Sequence, residues 1–376
     1  MLVFPFLLVS LTCELLPYAC GSRLQDYLGS GFARATTKRT YNAIEEPDRS
    51  SSSEDRELAT GLGPRLGTTH KPQFPADPFN AGKNKLEKTS QEKKPESRAE
   101  KWCKRNTEGC TSFKNQVAFG LRPRIIGGRA ATPKKHTFMV LIGYGSSKIR
   151  HWLCGGSLLS SRYVLTAAHC TVGGTLGKAK WVRVGELDLS SNTDDAKPQD
   201  KEIAERIRHP DYKEPAVYND IALLRLGSDV IFNEWVKPIC LYAGAPEPEP
   251  NNVIVTGWGR TDFASETSPM LLEVKISLFN NSACVGLMGR TPDKMRLPRG
   301  IDAGSMVCAG DVNGGKDACT GDSGGPLFVE EDDCVTRQLG ITSLGKDCGI
   351  PGTAGIYTNV TKYIPWIESI VWSDEE

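Results

Sequence analysis

The sequence predicts an all-β protein that ends in one helix and follows a polar N-terminal segment. Beyond Arg122, short apolar and β-branched runs such as 138–142 and 253–255 alternate with closely spaced Gly and Pro. This pattern is typical of a β-barrel or sandwich. Apolar residues at three- and four-residue spacing over 360–371 predict an amphipathic C-terminal helix. We expect Pro365 in its first turn, where a missing N–H costs no hydrogen bond.

The N-terminus has the layout of a secretory signal peptide. Its apolar run of about ten residues is too short for a hydrocarbon core of about 30 Å, and small residues follow at 19–22. We therefore expect residues 1–21 to be a cleaved signal and the protein to be secreted; a membrane anchor is the less favoured alternative. Twelve cysteines are unusual for a cytosolic enzyme. Loss of Cys13 and Cys20 with the signal would leave an even number for disulfides.

Residues 22–101 are strongly polar. Runs such as 49–56 and 93–96 cannot bury enough apolar surface to offset the entropy of ordering the chain. We expect a mostly disordered linker here, with a regulatory or docking segment as the alternative.

The charge balance argues against a nucleic-acid partner. There are 46 Lys and Arg against 45 Asp and Glu, a formal net charge of +1. Nucleic-acid-binding proteins normally carry a basic excess. Beyond the first residues, the sequence also predicts no membrane-spanning segment.

Three short motifs contain the residues that could carry out chemistry. His169 lies in 166–170, Asp220 lies in 219–224, and Ser323 lies in 321–326. A serine hydroxyl is a weak nucleophile that needs an imidazole to take its proton and a buried carboxylate to orient that imidazole. Each motif alone is weak, because a lone His, Asp or Gly-rich turn is usually structural. The order His, Asp, Ser along the chain is one of three known orders of a catalytic triad.

On these motifs the sequence resembles the trypsin/chymotrypsin family of serine proteases, from Ile125 to about Trp372. The resemblance implies two six-stranded antiparallel β-barrels with the active site between them. It also implies the catalytic roles: Ser323 as nucleophile, His169 as general base and then acid, Asp220 as the carboxylate that sets the His169 tautomer, and the N–H groups of Gly321 and Ser323 as the oxyanion hole.

The resemblance also implies a substrate preference. Asp317, six residues before Ser323, matches the floor of the family's primary pocket, where a buried carboxylate favours Arg or Lys. Gly345 and Gly355 match the walls of that pocket. The alternative for Asp317 is an ordinary Asp in a surface loop. Leu344 stands where many relatives carry Trp, which leaves contacts beyond the first subsite open, and Ala354 gives no reason to expect a sodium site.

The segment 124–128, Arg-Ile-Ile-Gly-Gly, resembles the family's activation junction. A cut after Arg124 by a trypsin-like protease, or by autocatalysis, would free the Ile125 amine, whose pKa is about 8. Paired with Asp322, that amine would order the pocket and the oxyanion loop. The resemblance thus implies a zymogen with a pro-segment or light chain at 22–124 and a protease domain at 125–376; an uncut basic turn is the alternative.

The family pattern implies three disulfides within the protease domain: Cys154–Cys170, Cys284–Cys308 and Cys319–Cys348. Four cysteines remain: Cys103, Cys110, Cys240 and Cys334. Cys240 matches the position that holds a light chain in relatives, with Cys103 or Cys110 as its partner and the other paired with Cys334. A local Cys103–Cys110 bridge with Cys240–Cys334 is the alternative. The spacing lacks the paired pattern of a zinc finger.

Within the family, the runs at 209–212, 340–343 and 363–368 are most similar to arthropod extracellular cascade proteases. Many of these have a six-cysteine clip domain, which this sequence lacks. The resemblance implies a role in immunity, clotting, development or venom. It implies protein substrates, an upstream activating protease and a serpin-type or other protein inhibitor. The alternatives are a non-catalytic homologue, which usually loses a triad residue, and a digestive trypsin.

Two weaker features complete the expectations. Asn280 and Asn359 begin glycosylation acceptor motifs. Acidic residues cluster where some relatives hold calcium: Glu186, Asp188, Asp194 and Asp195. Their oxygens suit calcium, but a solvated acidic loop is the favoured interpretation, so we expect no metal site and no required cofactor.

Overall fold

The computed structural model describes these ranges: 96–108, 128–243, 248–250, 252–260, 266–288, 293–314, 321–331, 335–345, 351 and 353–373. All of them belong to one unit, Lys88–Glu376. The predicted signal peptide lies outside the described residues, as do several predicted site residues: Arg124, Ile125, Asp317, Cys110, Cys319, Cys334 and Cys348. Within the described ranges, no helix has the length and apolar character needed to cross a bilayer.

Two short elements precede the barrels: helix α1 (Arg98–Thr107) and strand β1 (Arg129–Ala130). The hydroxyl of Ser97 caps α1 by accepting a hydrogen bond from the Glu100 N–H at 3.2 Å. The helix buries one face: Ala99, Trp102 and Cys103. The expected linker over 22–101 therefore ends in ordered structure, because three apolar residues at helical spacing suffice once a partner surface covers them.

The first barrel is closed by six antiparallel strands: β2 (Met139–Gly145), β3 (Arg150–Leu158), β4 (Tyr163–Thr166), β5 (Trp181–Val184), β6 (Gln199–Arg208) and β7 (Ala222–Leu226). Their order around the barrel is β2-β3-β4-β7-β6-β5. The apolar run of β2 is buried along both of its faces. Strand β6 is largely polar and exposed, and Ile203 is its one fully buried side chain, so its charged residues face solvent.

The second barrel contains the remaining strands: β8 (Cys240–Leu241), β9 (Val253–Gly257), β10 (Leu272–Phe279), β11 (Met306–Gly310), β12 (Pro326–Glu330), β13 (Thr336–Leu344) and β14 (Gly355–Asn359). Six of them close a ring in the order β9-β10-β11-β14-β13-β12, while β8 pairs in parallel with β13 and β1 pairs with β10. The predicted fold of two six-stranded antiparallel barrels is confirmed.

Two further helices complete the fold: α2 (Asn281–Leu287) and α3 (Val360–Val371). The predicted C-terminal helix is therefore confirmed. The placement of Pro365 in its first turn is wrong, since Asn359 caps α3 by accepting from the Thr361 N–H at 3.1 Å and the helix begins at Val360. Pro365 lies in the helix interior, where its missing N–H removes one intrahelical hydrogen bond.

Side chains from both barrels meet in a shared interface. The rings of Phe138 and Phe328 lie edge to face with centroids 5.2 Å apart. Ser157 donates a hydrogen bond of 2.5 Å to the buried Gln338 side chain. These contacts join β3 and the residue before β2 in the first barrel to β12 and β13 in the second.

Candidate active site

Strand pairing in the first barrel brings His169 and Asp220 together. His169 lies in a short 3₁₀ helix, Ala168–Thr171, directly after β4, and Asp220 directly precedes β7. Because β4 and β7 are antiparallel neighbours, their adjoining ends place the two residues side by side. The Nδ1 atom of His169 lies 2.7 Å from Oδ2 of Asp220, and the His169 backbone N–H donates to Oδ1 at 2.9 Å.

The second barrel holds Asp220 from the other side. Its side chain has no solvent-exposed area. The Ser343 hydroxyl donates to Oδ2 at 2.5 Å, and the Thr358 hydroxyl donates to the Asp220 carbonyl at 2.8 Å. These contacts satisfy a buried carboxylate that would otherwise be costly. Sequence analysis missed both hydroxyls; Ser343 lies in a run that we noted only for its family resemblance.

The environment of His169 changes the acidity of its imidazole. Burial, the largest influence, lowers the pKa of His169. The negative charge of Asp220 and its hydrogen bond outweigh burial, so the pKa lies above its ordinary value. The carboxylate therefore stabilises the imidazolium that forms when His169 takes a proton.

The Ser323 loop depends on glycines that no other residue can replace. Gly321 and Gly324 have φ angles of +106° and +78°, which L-residues rarely adopt. A Cβ on Gly324 would lie 2.2 Å from the Thr166 hydroxyl oxygen. The Ser323 carbonyl accepts a hydrogen bond from the Gly155 N–H at 2.8 Å, so the first barrel holds the loop in place.

Ser323 and His169 line one open cleft of about 590 Å³. The predicted pocket residues Gly345 and Gly355 line the same cleft, while Asp317 lies outside the described residues. A cleft of this size lined by a serine and an imidazole can accept a peptide segment.

Other cleft-lining residues were not identified from the sequence: Tyr212, Glu214, Val217, Arg296 and Leu344. Leu344 was considered only as a departure from the family pattern. Tyr212 lies in the run 209–212, which was noted only for its family resemblance, and the remaining three belong to no motif that the sequence analysis named.

Asp322 occupies a niche made by two glycines. Its buried carboxylate accepts a hydrogen bond of 2.8 Å from the Gly259 N–H. A Cβ at Gly257 would lie 2.1 Å from one carboxylate oxygen, and a Cβ at Gly259 would lie 2.4 Å from the other. The niche therefore requires glycine at both positions. The partner expected from the family resemblance, Ile125, lies outside the described residues.

Three disulfides lie within the described residues: Cys154–Cys170, Cys284–Cys308 and Cys103–Cys240. The first ties β3 to the His169 turn, and the second ties α2 to β11. The third joins α1 to β8, with Cα atoms 5.2 Å apart. The partner of Cys240 is therefore Cys103, and the alternative Cys103–Cys110 bridge is wrong, because α1 places Cys103 against β8.

The acidic loop uses its carboxylates internally. Glu186 binds the Arg183 guanidinium at 3.1 Å and accepts from the Leu187 N–H at 3.0 Å. Asp188 accepts from Ser190, and Asp194 accepts from the Asp188 N–H. These carboxylates accept hydrogen bonds from groups close by in the chain, and Glu186 is buried rather than solvated.

Both predicted glycosylation sites are helix caps. Asn280 is exposed and its carbonyl oxygen accepts from the Ala283 N–H at 2.9 Å at the start of α2. Asn359 caps α3 in the same way and is half-buried. In both residues the side-chain oxygen Oδ1 is the capping acceptor.

Comparisons with known proteins agree with this geometry. The trypsin family model matches residues 125–367. Serine protease snk of Drosophila melanogaster is 40% identical over 66% of this chain and 57% of its own length. Venom protease of Bombus pensylvanicus is 35% identical over 64% of this chain and 96% of its own, and clotting factor G beta subunit of Tachypleus tridentatus is 35% identical over 69% and 84%.

The family match covers more than half of the chain and contains every residue of the His–Asp–Ser constellation. The aligned part spans little more than half of the length of snk. The chain belongs to the trypsin family of serine endopeptidases.

Proposed function

We propose that this protein is a secreted serine endopeptidase zymogen that, after a cut following Arg124, cleaves protein substrates after Arg or Lys in an extracellular cascade. The observation that carries the proposal is the buried Asp220 carboxylate hydrogen-bonded to His169 in the cleft that also contains Ser323. This pair can activate a serine hydroxyl at neutral pH.

The chemistry follows from the positions of these groups. The Ser323 hydroxyl attacks the scissile carbonyl carbon while its proton passes to His169. The N–H groups of Gly321 and Ser323 donate to the developing oxyanion. The tetrahedral intermediate collapses, the imidazolium gives its proton to the leaving amine, and an acyl ester remains on Ser323. A water molecule, deprotonated by His169, then attacks the ester and restores the free serine.

Activation and specificity rest on residues carried over from the family. The amine of Ile125, once freed, would pair with Asp322 in its glycine-lined niche, and Asp317 would pair with the substrate Arg or Lys. The Cys103–Cys240 disulfide supports a light chain that stays attached after the cut. A trypsin-like activator, a protein inhibitor of the serpin or another class, and a glycan on Asn280 belong to the same proposal.

The cascade role draws on the relatives. Two of them have the words venom protease and clotting factor in their names, and snk is named as a serine protease. Proteases of this kind act on other proteins, so the proposed substrate is a folded protein with an exposed Arg or Lys loop.

The test is to cut the purified precursor after Arg124 and to measure hydrolysis of short peptides ending in Arg, Lys, Phe or Ala. The Ser323→Ala variant, cut in the same way, measures any activity left by the activating protease. We expect hydrolysis after Arg and Lys in the cut protein and almost none in the uncut precursor. An Asp317→Ser variant should lose the Arg and Lys preference while it keeps the triad.

The alternative of a non-catalytic homologue has its own outcome in this assay. If the cut protein hydrolyses no peptide faster than Ser323→Ala, the enzyme proposal is wrong and a binding role takes its place. A preference for Phe would overturn only the trypsin-like specificity. A light chain that leaves the cut protein without reductant would overturn the retained disulfide.

A further inference from the structure

One positively charged side chain, Arg296, lines the cleft and belongs to none of the motifs that the family resemblance rests on. Arg296 lies in the stretch that leads into β11, and it lines the same cleft as His169 and Ser323. Its backbone is held across the cleft, because the Val217 N–H donates to the Arg296 carbonyl at 3.0 Å. The next side chain, Leu297, is 1% exposed and anchors the stretch in the core.

The guanidinium of Arg296 is available to a ligand. Its side chain is 54% exposed, and its one ion pair among the described residues joins Nε to Asp293 at 3.6 Å, beyond hydrogen-bond distance. The Asp293 carboxylate instead accepts from the backbone N–H groups of Met295 and Arg296 at 3.0 and 3.1 Å. A guanidinium presents a planar fork of donors that matches a carboxylate.

The charge of Arg296 is the less compensated of the two fixed charges that line the described cleft. The other, Glu214, is bound to the Arg208 guanidinium at 3.0 Å. Burial and Asp220 have the largest effects on the pKa of His169. Among the remaining charges, Arg296 has a larger effect than Glu214, and it lowers the pKa of His169. Arg296 is therefore close enough to His169 for its positive charge to act on the reacting groups.

The surroundings strengthen an ionic contact at this point. Val217 and Leu344 give the cleft apolar walls, and both are buried. A bound peptide would exclude water between these walls, which lowers the local dielectric and increases the attraction of opposite charges. Arg296 lines the same cleft as Gly345 and Gly355, so a substrate whose Arg or Lys lies between these glycines has neighbouring residues within reach of Arg296. We assign that place to the residues that precede the cleaved bond.

We propose that Arg296 selects protein substrates that carry Asp or Glu within the three positions preceding the cleaved Arg or Lys. This inference rests on the proposed function and adds a second charge requirement to it. The substrate would then present an acidic side chain and, a few residues later, a basic one. A requirement for both charges at a set spacing would exclude most proteins that expose only an Arg or Lys loop.

The experiment uses the full chain cut after Arg124. Peptides end in the same Arg and differ by Glu, Gln or Lys at one of the three preceding positions. We expect Glu to exceed Gln by about two- to fivefold in kcat/KM at one position at least, the upper part of the range for a partly exposed ion pair. In Arg296→Gln the Glu and Gln peptides should be cleaved equally well. In Arg296→Glu the Lys peptide should be cleaved faster than the Glu peptide. Raising the salt concentration should reduce the ratio in the unmodified chain.

Arg299→Gln is the matched control. Arg299 lies on the same stretch, but its guanidinium stacks on the Tyr218 ring at 4.3 Å and does not line the cleft. Its removal should leave the Glu-to-Gln ratio unchanged. Equal ratios in the unmodified chain and in Arg296→Gln, with Arg peptides still cleaved, would overturn the role of Arg296 alone. Failure to cleave any peptide would overturn the proposed function and this inference with it.

Discussion

At the residue scale, the orientation of His169 depends on one buried carboxylate that both barrels support. Asp220 receives hydrogen bonds from His169 and from Ser343, residues of different barrels. The site is therefore complete only when the barrels are packed together. A local sequence motif therefore identifies the catalytic residues but does not determine the distances between them.

Replacement of Asp220 by Asn should reduce kcat about 10⁴-fold, because an amide stabilises the wrong His169 tautomer. His169 must be neutral to accept a proton, and its pKa is raised in the native site. The acid limb of kcat/KM should thus lie above pH 6.5 in the cut protein and move to lower pH in Asp220→Asn, where burial dominates. Stopped-flow or steady-state assays across pH measure both effects.

Ser343→Ala provides the comparison for that variant. It removes one donor and keeps the carboxylate, so kcat should fall much less, by about tenfold for one hydrogen bond to a charged group. Near-native kcat in Asp220→Asn would contradict the assigned role of the carboxylate.

At the scale of elements, helix α1 packs on the protease domain by more than its disulfide. The Trp102 ring lies 5.6 Å from that of Trp372. The Arg337 guanidinium donates to both carboxylate oxygens of Glu100 at 2.8 and 3.1 Å. The Ala99 N–H donates to the Glu368 carboxylate at 2.8 Å. The helix is thus an integral part of the second barrel's outer surface, together with α3.

In the proposed two-chain form, cut after Arg124, gentle reduction of Cys103–Cys240 should leave the segment that contains α1 bound under native conditions. Trp102→Ala should release it on reduction, because loss of a buried Trp costs about 3–5 kcal/mol. Size-exclusion chromatography with and without reductant measures retention. Lys101→Ala, on the exposed face of the same helix, should behave like the unmodified protein. Release of the unmodified light chain on reduction alone would show that the disulfide carries the whole attachment.

At the scale of the whole molecule, the buried carboxylate of Glu273 ties residues 129–136 to the second barrel. Glu273, on β10, is 4% exposed and accepts from Arg129 at 2.6 Å, Lys135 at 2.9 Å and His136 at 2.5 Å. Lys135 also reaches Glu330 on β12 at 2.9 Å. Burial alone would raise the pKa of Glu273, but these donors hold it well below its ordinary value.

Glu273→Gln should lower the free energy of unfolding at pH 7 by about 1.5–3 kcal/mol, since it removes a buried, charged acceptor from the hydrogen bonds of Arg129, Lys135 and His136. A depressed carboxyl pKa contributes stability above the unfolded value, about 4.3, and loses it as pH falls through the folded value. The deficit should therefore be constant near neutral pH and shrink below about pH 4.3. Urea unfolding at a series of pH values measures it.

Glu205→Gln is the control for that series. Glu205 pairs with Arg225 at 2.9 Å, but both side chains are exposed, so the change should stay within about 0.5 kcal/mol at every pH. Equal deficits in the two variants would mean that burial of Glu273 contributes nothing.

The features that could be predicted from the sequence are those that depend on residues close together in the chain. The short β-prone runs, the amphipathic spacing over 360–371 and the His, Asp and Ser motifs are all readable within a few residues. Gly321 belongs to this class, because its positive φ is a requirement of its own turn. The family resemblance then supplied the two-barrel arrangement, and the chain carries the strands that form it.

Contacts between distant residues could not be read in that way. Cys103 and Cys110 are equivalent as sequence, and the docking of α1 on β8 selects Cys103. Glu273 meets His136 across 137 residues, and the backbone of Arg296 is hydrogen-bonded to Val217, which lies 79 positions earlier in the chain. The sequence by itself determined which groups perform the chemistry, since those needs are local. Packing of the two barrels decided which partners those groups meet, because hydrogen bonds, ion pairs and disulfides depend on distance in space rather than on separation along the chain.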